Sequence, residues 1–171
     1  MSEQLQPIVR DAVDADMPAI CGLYNALIAT TTVAWTETPE TLRARGAWFR
    51  QQQRANFPVL VAELDDEVVG FCAYGSFRGA GKWPGYRFTV EHTVHVRESV
   101  WGAGVGRLLM LELVARARTA DMHVMVAAID GSNVDSIAFH ERLDFEIVGR
   151  MPETGHKHNR WLDLILMQRI L

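Results

Sequence analysis

Between residues 94 and 117 the chain reads VHVRESVWGAGVGRLLMLELVARA, a strand-like run passing through glycines 102, 104 and 106 into a long apolar helix. Glycines at a strand-to-helix turn leave backbone N–H groups unshielded by any Cβ. The first helical turn adds its own unpaired N–H groups and the positive end of its dipole. Such a turn cradles an anion, most often a phosphate or pyrophosphate. Spacing excludes two common phosphate loops. The segment lacks G-x-x-x-x-G-K-[ST], and its glycines fall as G-x-G-x-G, not G-x-G-x-x-G.

The rest of the chain supplies the sheet and helices that such a turn must join. Residues 7–10 read as a short first strand. Asp14 then caps a helix through residue 28, with Ile20, Leu23, Tyr24, Leu27 and Ile28 as its apolar stripe. Thr30 to Trp35 read as a loop carrying an aromatic, and Thr38-Pro39-Glu40 opens a second helix that runs to about residue 53. Two strand runs, 57–64 and 67–76, meet at Asp65-Asp66. The loop 77–87 gathers three glycines, a proline, three positive charges and three aromatics.

A strand at 88–96 alternates Thr89, Glu91, Thr93 and His95 against Phe88, Val90, Val94 and Val96, with His92 intruding on the apolar face. The helix 105–120 is apolar on most sides and so belongs against a sheet, with Glu112 and Arg116 as an i,i+4 pair. A strand at 123–129, a helix at 133–143, a strand at 145–150 and a last strand at 159–170, paired with the one before it, complete the chain. The order β-α-α-β-β-β-α-β-α-β-β predicts an α/β (α+β) fold: a mixed sheet with helices on both faces, in one domain over 1–171.

Composition narrows the partners. A net charge of −4 gives no general affinity for nucleic acid or acidic membrane. No apolar run reaches the ~18–20 residues of a membrane span, and MSEQLQPIVRD has no signal-peptide core, so a cytoplasmic protein is expected. Cys21 and Cys72 read as buried reduced thiols, and the six histidines show no metal-ligand spacing, so no metal is expected.

The segment Trp101-Gly102-Ala103-Gly104-Val105-Gly106 resembles the acyl-CoA signature [Q/R]-x-x-G-x-[G/A] of the GNAT N-acetyltransferase superfamily, with Trp101 where that family usually carries Gln or Arg. Asn133-x-x-Ser136-x-x-Phe139-His140-x-x-Leu143-x-Phe145 is similar to that family's second conserved block. Three more segments resemble its phosphinothricin acetyltransferase branch: Glu91-His92-Thr93-Val94-His95-Val96, Ala34-Trp35-Thr36-Glu37-Thr38-Pro39, and Gly155-His156-Lys157-His158-Asn159-Arg160-Trp161-Leu162-Asp163. Within that branch the chain is similar to bacterial enzymes that acetylate L-methionine sulfoximine and L-methionine sulfone.

The resemblance implies the GNAT fold with a mostly antiparallel central sheet, acetyl-CoA as cosubstrate, and a homodimer with the Trp35 and Trp161 segments as candidate contacts. Backbone groups of Val94, His95 and Val96 would bond the pantetheine amides. Gly102, Ala103, Gly104, Val105, Gly106 and Arg107 would hold the pyrophosphate, while Asn133 and Ser136 would bond further along the arm. Asn133 is equally a preferred helix cap.

Amine acetylation needs a neutral amine, and an α-amino group with a pKa near 8 is mostly protonated at pH 7. Glu91, on the polar face of the strand leading to the glycine turn, is the candidate base. His140, where many relatives carry Tyr, is the candidate to protonate the leaving thiol or to hold water beside it. A substrate carboxylate asks for a guanidinium fork, for which Arg78 and Arg87 flank the glycine-aromatic loop. Trp35, Phe77, Trp83 and Tyr86 would wall the pocket, and Ser76 and Thr89 would face the substrate. Other amines (a polyamine, an aminoglycoside, a protein N-terminus) and a non-catalytic acyl-CoA-binding module are the alternatives. A basic loop disfavours polycations, and a mere binding module has no need of Glu91 or the arginine pair.

Overall fold

A computed structural model describes residues 6–171. Residues 1–5, which head the segment read as lacking a signal-peptide core, lie outside the described residues. The strands are β1 (Ile8–Asp11), β2 (Val59–Leu64), β3 (Glu67–Ser76), β4 (Thr89–Val96), β5 (Val124–Asp130), β6 (Glu146–Lys157) and β7 (Arg160–Ile170). The helices are α1 (Met17–Thr30), α2 (Leu42–Arg54), α3 (Val105–Thr119) and α4 (Val134–Glu141). One sheet holds all seven strands in the order β1-β2-β3-β4-β5-β7-β6. Every pair is antiparallel except β4–β5, which is joined by the helical crossover α3 and so runs parallel.

Strand alternation divides the core in two. Val59, Val61, Phe71 and Ala73 face α1 and α2, packing on Met17, Ile20 and Phe49. Leu60, Ala62, Cys72, Tyr74 and Val90 point the other way, onto Leu109, Met110 and Leu113 of α3. Each such aliphatic side chain taken fully from water contributes about 1.5–3 kcal/mol, which makes α3 the helix most firmly fixed to the sheet. The Glu112–Arg116 pair forms at 2.8 Å, and Arg116 also reaches Asp11 at 3.0 Å, tying α3 to β1. Both cysteines are buried and free.

Element order agrees with the sequence reading, whereas several boundaries move for local reasons. Asp14 does not cap α1. It starts a single tight turn, Asp14–Asp16, while the Asp16 carboxylate accepts the Val13 N–H at 2.8 Å and pairs with Arg10. Helix α2 begins at Leu42 rather than near Thr38, because Asn25 Oδ1 accepts the Glu40 N–H at 2.8 Å and Thr41 Oγ1 caps Ala44 N at 3.2 Å. Strand β6 extends past residue 150 to Lys157, with a register irregularity between Met151 and Gly155. The β2–β3 and β6–β7 turns use paired left-handed residues, Asp65-Asp66 and His158-Asn159, as two-residue hairpins favour. No helix among the described residues is long and apolar enough to cross a membrane.

Candidate active site

Strand β4 pairs with β3 along its whole length, from Val90 to Val96, but with β5 over three residues only. The parallel partners are Thr89 with Val124, Val90 with Met125 and Glu91 with Val126. Beyond Glu91 the two strands part, while β5 stays paired with β7 as far as Asp130. The gap is a cleft walled by His92, Thr93, Val94 and His95 of β4 and by Ala127 to Asp130 of β5. Asn133, Ser136 and His140 of α4 and Val33 of the α1–α2 loop complete it. Unpaired backbone along a strand edge seeks partners, and an extended ligand bearing amides supplies them as an added strand would.

The glycine turn follows directly. Gly102 and Gly104 take φ values of 79° and 84°, conformations a Cβ would strain, and the space a Cβ would occupy is open at both. Gly104 stands at the N-terminus of α3, and no side chain caps that end, so the N–H groups of Val105, Gly106 and Arg107 remain available. Ala103 is exposed in the turn, as is Arg107, which has no acidic partner among the described residues. Trp101 donates its indole N–H to Val96 O at 2.8 Å, anchoring the turn to the end of β4. The turn thus offers an anion a set of backbone donors.

The two faces of β4 carry different chemistry. Val90, His92, Val94 and Val96 look toward α3 and α4, and the His92 ring stacks on His140 at 5.1 Å between centroids. Thr89, Glu91, Thr93 and His95 look toward α1 and α2, where His95 packs on Phe71 and Tyr24. Glu91 and His140 therefore sit on opposite sides of the sheet, and Glu91, partly exposed at the last residue before the cleft begins at His92, is not one of the residues that line it. Partial burial raises the Glu91 carboxyl above its ordinary pKa, the direction that improves a base for an ammonium group.

His140 is fixed by its own helix. Its Nδ1 lies 2.7 Å from Ser136 O, which can only accept, so Nδ1 carries the proton. Nε2 is then a bare acceptor, buried without a partner, and burial lowers the ring's pKa so that it stays neutral. A neutral ring of this tautomer has no proton at Nε2 to give the leaving thiol.

His95, read as a polar-face residue, is buried. It bonds Thr93 Oγ1 at 2.8 Å, and burial, then the nearby Arg45 charge, pull its pKa down to about 4. Its backbone is turned to β3 as well: His95 pairs with Phe71 in the register that brings Arg97 N to Val69 O at 2.8 Å and Phe77 N to Thr89 O at 3.3 Å. The backbone groups facing the gap are therefore those of Val94 and Val96. Asn133 Oδ1 accepts Ser136 N at 3.1 Å and caps α4, leaving the Asn133 amide N–H groups free toward the cleft.

The expected substrate residues form a separate group. The loop after β3 springs from the paired end of β4, so Ser76, Phe77, Arg78, Tyr86, Arg87 and Thr89 lie outside the cleft walls. Within it, Phe77 and Tyr86 meet edge to face at 5.5 Å and Arg78 lies 5.7 Å from the Tyr86 ring. Arg87 covers Phe88 at 4.4 Å, and neither guanidinium has an acidic partner among the described residues. Ser76 is engaged in the turn, its Oγ accepting Ala80 N at 2.8 Å. Trp35 packs on Gly155, and Trp83 and Trp161 are exposed. Sequence reasoning missed Val33 and Asp130 as cleft residues and saw His92 only as an intruder. A lone histidine among alternating valines was the one available signal.

The Acetyltransferase (GNAT) family model matches residues 20–145, and the chain belongs to that family. An L-methionine sulfoximine/L-methionine sulfone acetyltransferase of Pseudomonas paraeruginosa is 47% identical over 161 residues, spanning 94% of this chain and 92% of the relative. The solved ribosomal-protein-alanine N-acetyltransferase of Brucella melitensis is 41% identical, with a TM-score of 0.92, covering 96% of this chain and 99% of the other. A phosphinothricin acetyltransferase of Sinorhizobium meliloti, solved with AcCoA, is 34% identical with a TM-score of 0.92 over 96% and 88% of the two chains. The reaction is N-acetyl transfer with acetyl-CoA as donor.

Proposed function

We propose that the protein acetylates the α-amino group of a small amino-acid analogue of the L-methionine sulfoximine and L-methionine sulfone class, with phosphinothricin as a further acceptor. The observation that carries this reading is the 47% identity to an enzyme named for those two substrates, over nearly the whole of both chains. The free edge of β4 bonds the pantetheine arm through the backbone groups of Val94 and Val96, those of the expected His95 being turned to β3. Gly102 to Arg107 bind the pyrophosphate, and Asn133 and Ser136 border the arm on α4. Glu91, at the point where pairing stops, takes the ammonium proton directly or through one water. A strand N–H near Val94 faces the thioester oxygen as charge builds there. His140 Nε2 orders water on the thiol side.

Attack is direct, in a ternary complex. Cys72 is buried with its thiol pushed far up by that burial, and neither cysteine lines the cleft to serve as an acyl carrier. Arg78, two residues past β3, and Arg87, four residues before Glu91, both without acidic partners among the described residues, are the proposed carboxylate clamp, with Trp35, Phe77, Tyr86 and Thr89 around the side chain. The chain acts as one domain, in the cytoplasm, and pairs as a homodimer through the exposed Trp161 side of the β6–β7 hairpin.

One second reading has a specific support, the Brucella neighbour named for a ribosomal-protein alanine. Thiol release from acetyl-CoA, measured with methionine sulfoximine, methionine sulfone, phosphinothricin, spermidine, an aminoglycoside and an alanine-headed peptide, separates the two. Turnover of the amino-acid analogues well above the peptide is expected. Turnover of the peptide alone would transfer the assignment to a protein acceptor. No release with any amine, beside tight CoA binding, would leave only a binding module.

A further inference from the structure

Lys157 ends β6 with its side chain wholly buried, and its three ammonium protons meet three backbone carbonyls: Ile28, Thr31 and Ala34, each 2.7 Å from Nζ. No carboxylate pairs with it among the described residues. Ile28 lies in the last turn of α1 and Thr31 just beyond it, where carbonyls lack helical partners and the dipole is negative. Ala34 belongs to the loop that follows. A stem from the outermost strand of the sheet thus gathers the end of α1 and the start of the loop 31–41 at one point.

Other contacts hold the same loop. Thr32 Oγ1 donates to the Asp130 carboxylate, which also accepts Ser132 N at 3.0 Å and Ser132 Oγ at 2.9 Å. Glu37 accepts His158 N at 3.1 Å. The Trp35 ring lies on Gly155 so closely that any Cβ there would collide with it. Between these anchors stands Val33, which lines the cleft with Asp130. An apolar residue in place of Lys157 would fill the volume but leave three buried carbonyls unpaired, so the ammonium serves to hold the loop as well as to occupy space.

We propose that Lys157, with Gly155, is a positioning residue for the amine acceptor: it sets the loop 31–41 so that Val33 closes one side of the cleft and the pocket prefers a small amino-acid analogue to a longer amine. The inference rests on the acceptor class proposed above. Val33 shares the cleft with Asn133 and Ser136, which border the pantetheine arm. This wall therefore stands at the acetyl end of the cosubstrate, where the acceptor must meet it, and apart from the pyrophosphate turn at Gly102 to Arg107.

Lys157→Met and Gly155→Ala are compared with the unchanged protein in steady-state kinetics with methionine sulfone, a short peptide amine and acetyl-CoA. Hydrogen exchange at residues 31–38 is followed in parallel. Misplacing a substrate contact by about 1 Å costs up to about a hundredfold, so the acceptor KM should rise about ten- to a hundredfold. The acetyl-CoA KM, set largely at the untouched pyrophosphate turn, should change several-fold less than the acceptor KM. Amides of 31–38 should lose protection while those of β5 keep it, and peptide turnover should gain relative to methionine sulfone. Gly155→Ala keeps the ammonium and displaces the Trp35 ring instead, so it carries the test if Lys157→Met does not fold. Equal changes in both KM values, or an unchanged acceptor KM, would overturn the inference. Failure of the unchanged protein to use any amino-acid analogue refutes the acceptor class instead. In that event unaltered protection at 31–38 refutes the loop's anchoring independently.

Discussion

The rings of His92 and His140 stack 5.1 Å apart with planes inclined by 27°, one from the central strand and one from α4. Neither nitrogen of His92, nor Nε2 of His140, has a hydrogen-bond partner among the described residues. Buried polar atoms are rarely left so, and the cleft beside them is where water or a ligand would satisfy them.

His140→Phe keeps the stacking and removes Nε2. If that nitrogen orders water beside the thiol, kcat falls by about 10- to 100-fold, the low end of acid–base effects, with both KM values nearly unchanged. Single-turnover kinetics with methionine sulfone would show it. An unchanged kcat would reduce His140 to a packing residue.

The buried histidines also predict how stability follows pH. His92, His95 and His140 all bind protons more weakly folded than free, chiefly through burial. The unfolded chain takes up protons below about pH 6.5 where the folded one does not. Their contribution is therefore intact above that pH and is lost as pH falls toward about 4, the value for His95. Each ring contributes a slope of up to about 1.4 kcal/mol per pH unit. Glu91, raised, acts in the opposite sense on acidification, but it is one group against three. Urea titrations from neutral pH downward should show a falling midpoint, with a shallower slope in His95→Gln. A flat midpoint would contradict neutral buried rings.

At the glycine turn, Gly104→Ala puts a Cβ at φ 84°, where L residues pay about 1–2 kcal/mol, although nothing stands in its way. The turn should relax and the acetyl-CoA KM rise about tenfold while the acceptor KM holds. Isothermal titration with CoA checks it without turnover.

Loss of a bidentate guanidinium–carboxylate contact costs about 1.5–3 kcal/mol, or roughly 10- to 100-fold. Arg78→Ala or Arg87→Ala should raise the acceptor KM by that factor and spare acetyl-CoA. Kinetics with varied methionine sulfone would detect it, and an unaltered acceptor KM in both would move the carboxylate site elsewhere.

Element order was legible in the sequence because period and turn chemistry agreed along the chain: glycines before α3, Asn133 before α4, Asp65-Asp66 between β2 and β3. What could not be read depended on residues far apart. The start of α2 is set by Asn25, a side chain on another helix. The length of β6 is set by its pairing with β7, not by its own pattern, since most of it is exposed. The cleft arises where a parallel pairing stops, a property of two strands that no single segment records. Lys157 entered only as part of the segment 155–163 that carries a family resemblance, and the fold alone shows the three carbonyls around it. His140 was visible as a candidate, but its tautomer depends on the Ser136 carbonyl one turn earlier.

The central claim is that Glu91, at the last paired position of β4 and β5, accepts the amine's proton. The most direct measurement is the pH dependence of kcat/KM for methionine sulfone in the unchanged protein and in Glu91→Gln. Because burial raises the carboxyl, activity should fall on acidification through a pKa above the ordinary glutamate value. Glu91→Gln should lower kcat/KM by about 100- to 10,000-fold and abolish that limb. A variant that keeps both its rate and its acid limb would contradict the assignment, and the base would have to be sought among other groups at the cleft.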